Sequence, residues 1–193
     1  MYRYSPMKKN LKTHLIKGLY ISLNWLLMIS LGSLLLSCSK TKYEWEPGIS
    51  APKYYPVGGV RVDFGNAGHG SLTNFDNGWG DQYGALSSGE RYKEIPKEVF
   101  IHYSSCAENY TYQGTVHLPQ DKLKALFQKY DPKKDSYVKL VVGMATGGWI
   151  RVWFTTLHQQ IEVAKARLKR DSGGVYNIRR MAKCQSLLPS GQI

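Results

Sequence analysis

The stretch SYVKLVVGMATGGWIRVWFTT, residues 136–156, decides the fold class. It holds two apolar runs dominated by Val, Ile, Phe and Trp, parted by Thr146-Gly147-Gly148. β-Branched and aromatic side chains suit a pleated, half-buried surface, and a glycine pair supplies the backbone freedom of a tight reversal. The stretch therefore reads as a β-hairpin. Side chains alternate along a strand, so Trp149, Arg151 and Trp153 fall on one face. Arg151 between two indoles suggests a stacked cation–π row, with core packing of Trp149 and Trp153 as the competing reading.

Towards the C-terminus, QQIEVAKARLKR (159–170) fits a helical pattern, but Ile161, Val163, Lys165 and Arg167 also alternate against Glu162, Ala164 and Ala166. Only TTLH separates it from the preceding strand, which favours a third strand of a meander. Beyond Asp171-Ser172-Gly173-Gly174, residues 175–187 are expected to be helical, followed by a loose end. Towards the N-terminus, PQDKLKALFQKY (119–130) is the clearest helix. Proline is tolerated at its start, Leu123, Leu126, Phe127 and Tyr130 recur at helical spacing, and Asp131-Pro132 stops it.

EVFIHYSS (98–105) and ENYTYQGTVHL (108–118) read as two strands. The second has Tyr110, Tyr112, Val116 and Leu118 on one face and Thr111, Gln113, Thr115 and His117 on the other. Residues 43–64 read as two extended segments separated by Pro52 and Pro56. Residues 65–90, rich in Gly, Asn, Asp and Ser, read as a long functional or mobile loop. The sum is an α+β domain, mainly antiparallel β, with about seven strands in a sandwich-like sheet and one or two helices.

A chain of 193 residues has room for one ordinary domain, and 42% hydrophobic with 12% aromatic content predicts a packed core. The net charge of +12 is unevenly placed: Arg3, Lys8, Lys9, Lys12 and Lys17 stand before residue 38 without an acid, and residues 160–193 hold a further basic excess. The body between is nearly balanced, which argues against nucleic acid as a partner and suggests solvated or headgroup-facing ends.

Lysines 8, 9, 12 and 17 precede the apolar run LYISLNWLLMISLGSLLL (19–36), the order of a secretory signal. The run closes in Leu35-Leu36-Ser37-Cys38, which resembles the lipobox of bacterial lipoproteins. A single transmembrane anchor is the alternative, weakened by Asn24 and the Ser and Gly content. The resemblance implies a signal peptide over 1–37, lipidation at Cys38, a tether over 38–43 and a single β-rich domain over 44–193 with a basic tail. The chain's first partner would then be the lipid bilayer, held through the acyl chains on Cys38. Each buried methylene contributes about 0.8 kcal/mol, so two or three chains attach essentially permanently. Ser39 is not the aspartate that retains many such proteins at the inner membrane, so the expected location is the outer membrane, on either face.

With Cys38 carrying lipid, Cys106 and Cys184 are the candidate disulfide of an oxidising compartment, two free thiols being the alternative. Several strings then add up in order: APKYYPV (51–57), GWG (78–80), YSSCAE (103–108), LPQDKLKALF (118–127) and VGMATGGWIRVWF (142–154). Together, over residues 43–170, they resemble the domain of unknown function 2931 family of Gram-negative bacterial lipoproteins. That family more often has a proline where this chain has Thr146. The resemblance implies no assigned activity; some such lipoproteins are thought to lie beside interbacterial toxin genes, as immunity proteins would.

For catalysis the sequence offers little. His69 in NAGHGS lacks the flanking motif of a phosphate or oxyanion cradle. The histidines at 14, 69, 102, 117 and 158 show no metal spacing, although His102 and His117 on successive strands could face each other. Glu44 and Glu46 flank Trp45 and read as solvated. No catalytic residue, metal or cofactor is expected. Trp79 and Tyr83 in the long loop, with Trp149, Arg151 and Trp153, are instead candidates for a binding surface. The expected function is a membrane-anchored envelope lipoprotein that binds a protein partner, a toxin or an envelope protein. The alternative is a glycan or small-ligand binder using the Trp79/Tyr83 loop.

Overall fold

The computed structural model describes residues 41–81, 89–130, 137–171, 186 and 188, with the backbone alone over 70–74. Its strands are β1 (Tyr43–Glu44), β2 (Glu46–Ser50), β3 (Val57–Asp63), β4 (His69–Phe75), β5 (Tyr92–Lys93), β6 (Glu98–Ser105), β7 (Tyr110–His117), β8 (Val138–Met144), β9 (Trp149–Thr156), β10 (Gln160–Arg167) and β11 (Lys169–Arg170). Among the described residues there is one α-helix, α1 (Gln120–Lys129), between β7 and β8. The described residues thus form an α+β domain rich in antiparallel β, with more strands than the seven expected, several only two residues long.

Three sheets result, in the orders β10-β9-β8-β2, β11-β7-β6-β3-β4 and β1-β5. The hairpin read from residues 136–156 is real: β8 and β9 pair from Val138↔Thr156 to Met144↔Ile150. Its turn needs both glycines in left-handed conformations, with φ of 73° at Gly147 and 78° at Gly148. β10 continues the meander on β9, which settles residues 160–167 as strand. β2 lies parallel to β8 from Glu46↔Lys139 to Ser50↔Gly143. β8 is therefore central and almost wholly buried, which explains why its sequence is apolar without alternation.

The long turn-rich segment is not a plain loop. Its first third is β4, antiparallel to β3 from Val57↔Phe75 to Asp63↔His69. A short reversal connects the two, in which the Asp63 carboxylate accepts from the Gly65 amide (2.8 Å) and Phe64 N–H donates to the Gly68 carbonyl (2.9 Å). Backbone pairing with β3 outweighs the weak strand propensity of HGSLTNF.

One buried cluster receives side chains from both larger sheets and from the helix. β3 contributes Val57, Val60 and Val62; β6 contributes Val99, Ile101 and Tyr103; β8 and β9 contribute Leu140, Val142, Ile150, Val152 and Phe154. α1 turns Leu123 and Phe127 inward. Phe127 stacks on Tyr43 (5.0 Å between centroids) and meets Phe154 edge-on (5.0 Å). Tyr43, the last residue of the expected tether, is thus already part of the packed body. The expected helix stop at Asp131-Pro132 and the expected helix at 175–187 fall outside the described residues, apart from the isolated Ser186.

Candidate functional site

The outer face of the four-stranded sheet is built by alternation. Val141, Gly143 and Trp153 point away from the main core, and Gly143 has no side chain to fill the space above it. Trp153 lies across that gap: a Cβ placed on Gly143 would come within 2.5 Å of its ring and within 3.0 Å of the Trp79 ring. Trp79 completes the site, meeting Trp153 edge-to-face at 5.2 Å between centroids. An edge-to-face aromatic pair contributes about 0.5–1.5 kcal/mol beyond its buried area. Trp153 is accordingly 7% exposed, while Trp79 above it keeps 40% of its surface in solvent.

The segment carrying Trp79 is strapped across the sheet. Asn77 mimics a strand residue along the edge of β2: its Oδ1 accepts from Ala51 N–H and its Nδ2 donates to the Ile49 carbonyl, each at 3.1 Å. Gly78 N–H donates to the Ala51 carbonyl (2.8 Å) and Gly80 N–H to the Ser50 hydroxyl (3.0 Å). From the far side of the sheet, Gln160 Nε2 on β10 donates to the Gly80 carbonyl (2.6 Å). These bonds satisfy the edge of β2 and hold the Trp79 backbone at both ends. Within the stretch read as a functional or mobile loop, residues 77, 78 and 80 are thus hydrogen-bonded to the sheet. Tyr83 lies outside the described residues.

The same bonds bring in two residues that sequence reasoning missed. The 51–56 connection, hydrogen-bonded to the strap, presents Tyr54 and Tyr55, which are 62% and 40% exposed. Tyr54 adopts φ of 67°, a left-handed conformation that costs a bulky residue about 1–3 kcal/mol. Its amide donates to Asp76 Oδ2 (3.3 Å), and Tyr55 N–H closes the turn on the Pro52 carbonyl (3.1 Å). The available signal was an aromatic pair confined between Pro52 and Pro56.

Trp149 and Arg151 share the outer face with Trp153, as alternation requires, but they do not form the expected row. Arg151 pairs with Glu162 instead of stacking between indoles. Trp149 is 50% exposed, and the guanidinium over it, 5.3 Å from its centroid, belongs to Arg167. The physical reason is the register: Arg167 is the direct cross-strand partner of Trp149, whereas neighbours two apart on one strand are farther away. Trp153 is packed beneath Trp79, so of the two readings weighed for these indoles, packing holds for Trp153 and exposure for Trp149.

The hairpin turn behind Trp149 is clamped by a carboxylate. Glu108 Oε2 accepts from Gly147 N–H (2.8 Å) and from the Tyr112 hydroxyl (3.1 Å), while Arg167 Nε donates to the Gly147 carbonyl (2.9 Å). Tyr103, stacked on Tyr112 at 5.5 Å, donates its hydroxyl to the Ala145 carbonyl (2.5 Å). Burial drives the Tyr103 phenol far above its ordinary range and raises that of Tyr112 as well. Both are neutral donors, and their role is structural.

The family model described as a protein of unknown function (DUF2931) matches residues 35–184. The chain belongs to that family. No curated protein and no solved structure matches it. The DUF2931 match encloses every described element and all three cysteines. Cys106, at the start of the β6–β7 turn, is buried and disulfide-bonded. Cys184, its expected partner, and Cys38, the expected lipidation site, lie outside the described residues.

The remaining residues singled out from sequence are dispersed over the DUF2931 fold. His102 and His117 do not face each other: the register sets His102 opposite Gln113 and His117 opposite Glu98. His102 Nδ1 lies 3.2 Å from the Gly59 carbonyl, and His117 Nδ1 lies 3.2 Å from Glu98 Oε2. His69 opens β4 opposite Asp63. Glu44 and Glu46 are paired rather than merely solvated, with Arg91 (2.7 Å) and Lys139 (3.7 Å). Between them Trp45 is buried, and the ammonium of Lys93 donates to its carbonyl (2.7 Å), with burial lowering the lysine's pKa. Among the described residues, no group of three or more His, Cys, Asp and Glu is placed to hold a metal ion, and no helix is long and apolar enough to cross a membrane.

Proposed function

We propose that the protein is an envelope lipoprotein, anchored to the outer membrane through Cys38, whose domain binds a protein partner, with immunity to a delivered interbacterial toxin as its specific role. In this reading the four- and five-stranded sheets form a sandwich-like body, supported by the single buried cluster to which both contribute. The partner is held on Tyr54, Tyr55 and Trp79. The observation that carries the reading is that these rings stay exposed on backbone held from both sides. Trp79 is pinned between β2 and β10, and Tyr54 is kept in a left-handed conformation by Asp76. Large rings that are already ordered lose little entropy on binding, which is why tryptophan and tyrosine dominate the energetics of protein interfaces. Immunity needs nothing further of the fold than a face that engages the toxin and occludes it.

Two measurements test this. A clickable fatty acid should label wild-type protein and leave Cys38→Ala unlabelled; equal labelling refutes the lipid anchor. A protein captured from envelope extract by the full-length chain should be lost with Tyr54→Ala/Trp79→Ala, whose melting temperature falls by the few degrees that uncovering Trp153 costs but stays well above the assay temperature, and the captured partner's toxicity should be relieved by wild type alone. Capture that survives the double substitution removes the aromatic face from the mechanism. Retention on peptidoglycan or polysaccharide that vanishes with Trp79→Ala would establish the glycan reading instead.

A further inference from the structure

A second surface lies on the same sheet, away from the strap. β9 and β10 place Arg151 directly opposite Lys165 and Trp149 directly opposite Arg167, so four outward positions form one cross-strand rectangle of three cations and an indole. All four side chains are exposed. Glu162 lies beside this rectangle, opposite Trp153, and is engaged by Arg151. Like charges directly opposite on a sheet are unfavourable, so the Arg151/Lys165 pair is a local cost that the fold alone does not require.

The arginine at the other corner is oriented. Arg167 lies over the Trp149 ring at 5.3 Å while its Nε is held by the Gly147 carbonyl at 2.9 Å, and Gly147 is anchored in turn by Glu108. A Cβ on Gly147 would press on Trp149 at 3.3 Å, so the glycine is what lets indole and guanidinium lie against the turn. With Nε committed, the terminal nitrogens of Arg167 form a pre-set pair of parallel donors, the shape that takes a planar carboxylate. The next strand, β11, places a second arginine over a ring: Arg170 sits 3.6 Å from the centroid of the exposed Tyr110 of β7.

We infer that the Trp149/Arg151/Lys165/Arg167 face docks a carboxylate-bearing protein surface, an acidic segment of the binding partner. This rests on the reading of the chain as a partner-binding protein and adds the chemistry of what it binds. Charge complementarity and the oriented guanidinium favour side-chain carboxylates. A phosphate headgroup also fits a guanidinium fork, so the carboxylate is chosen on the protein-binding reading, and the vesicle arm of the test separates the two.

The test uses the full-length protein in neutral detergent with poly-L-glutamate as the probe, read by Trp fluorescence, and vesicles of phosphatidylethanolamine with phosphatidylglycerol in a parallel arm. Wild type should bind poly-L-glutamate in a salt-sensitive way. Lys165→Gln/Arg167→Gln should weaken that binding about tenfold or more, and Arg167→Lys, which keeps the charge and loses the fork, should recover it only in part. Lys97→Gln/Lys124→Gln, which removes the same charge elsewhere on the surface, should leave binding within about twofold of wild type, a change smaller than one charge-assisted bond. Equal weakening by both double variants overturns the proposal in favour of net charge alone. Vesicle binding that depends on Lys165 and Arg167 while poly-L-glutamate binding does not overturns it in favour of lipid. Tyr54→Ala/Trp79→Ala should not change poly-L-glutamate binding, so failure of the aromatic face and failure of this one are read from different variants.

Discussion

Gly143→Ala links the fold to the proposed binding face through a single methyl group. Gly143 sits in regular β8 backbone, so the substitution introduces no dihedral strain and its effect is purely one of space. The new Cβ would lie 2.5 and 2.7 Å from two atoms of the Trp153 ring and 3.0 Å from the Trp79 ring. Carbon atoms rest at about 3.5–4.0 Å, so Trp153 must retreat by roughly 1 Å. It cannot do so freely, because Trp79 covers it and the strap holding Trp79 is bonded to both β2 and β10. Overpacking of this kind costs about 1–3 kcal/mol. For a domain of this size that lowers the melting temperature by about 2–4 °C per kcal/mol. Thermal unfolding of the full-length chain should therefore show Gly143→Ala melting several degrees below wild type, with Trp79 more open to acrylamide quenching. Adding Trp153→Leu, which removes the obstructing ring, should make the two substitutions less than additive. A Gly143→Ala protein that melts with wild type and quenches identically would refute the stacked arrangement of Gly143, Trp153 and Trp79.

Gly148→Ala should destabilise more, since it adds a left-handed φ of 78° to a Cβ only 2.5 Å from the Leu168 carbonyl oxygen; urea titration should show a loss above that of Gly143→Ala. Tyr103 and Tyr112 have folded-state pKa values raised by burial, so the stability they contribute is full below the unfolded tyrosine value of about 10 and is lost as pH rises above it. Wild type should unfold between about pH 10 and 12 in moderate urea and Tyr103→Phe should do so less steeply; a flat profile there contradicts the burial of the phenols. Non-reducing digestion should yield a peptide joining Cys106 to Cys184, and Cys106→Ser should then cost about 3–5 kcal/mol, because a bridge between those two would close a loop of about 79 residues; a Cys106–Cys38 peptide would displace the lipid assignment.

The elements that were legible in sequence are those whose signal is local. The 138–156 hairpin carries its own turn glycines and its own apolar pattern. α1 carries a helical repeat of Leu123 and Phe127, and β6 and β7 carry enough Val, Ile and Tyr to stand out. β4 was not legible, because HGSLTNF has the composition of a loop and becomes a strand only by completing the hydrogen bonds of β3. The parallel seat of β2 beside β8 was equally hidden, since Glu46–Ser50 says nothing of a partner some 90 residues away.

The candidate site divides along the same line. Sequence by itself determined which residue types were present and on which strand face: Trp149, Arg151 and Trp153 in phase, Trp79 among glycines, and a cysteine behind an apolar run. Only the tertiary structure decided which indole is covered, which arginine lies over which ring, and that Tyr54 and Tyr55 stand on a connection bonded to the Trp79 strap. Periodicity is a property of one strand and can be read along it, whereas cross-strand register and loop closure depend on hydrogen bonds between residues far apart in the chain. Those bonds exist only once the sheets have assembled.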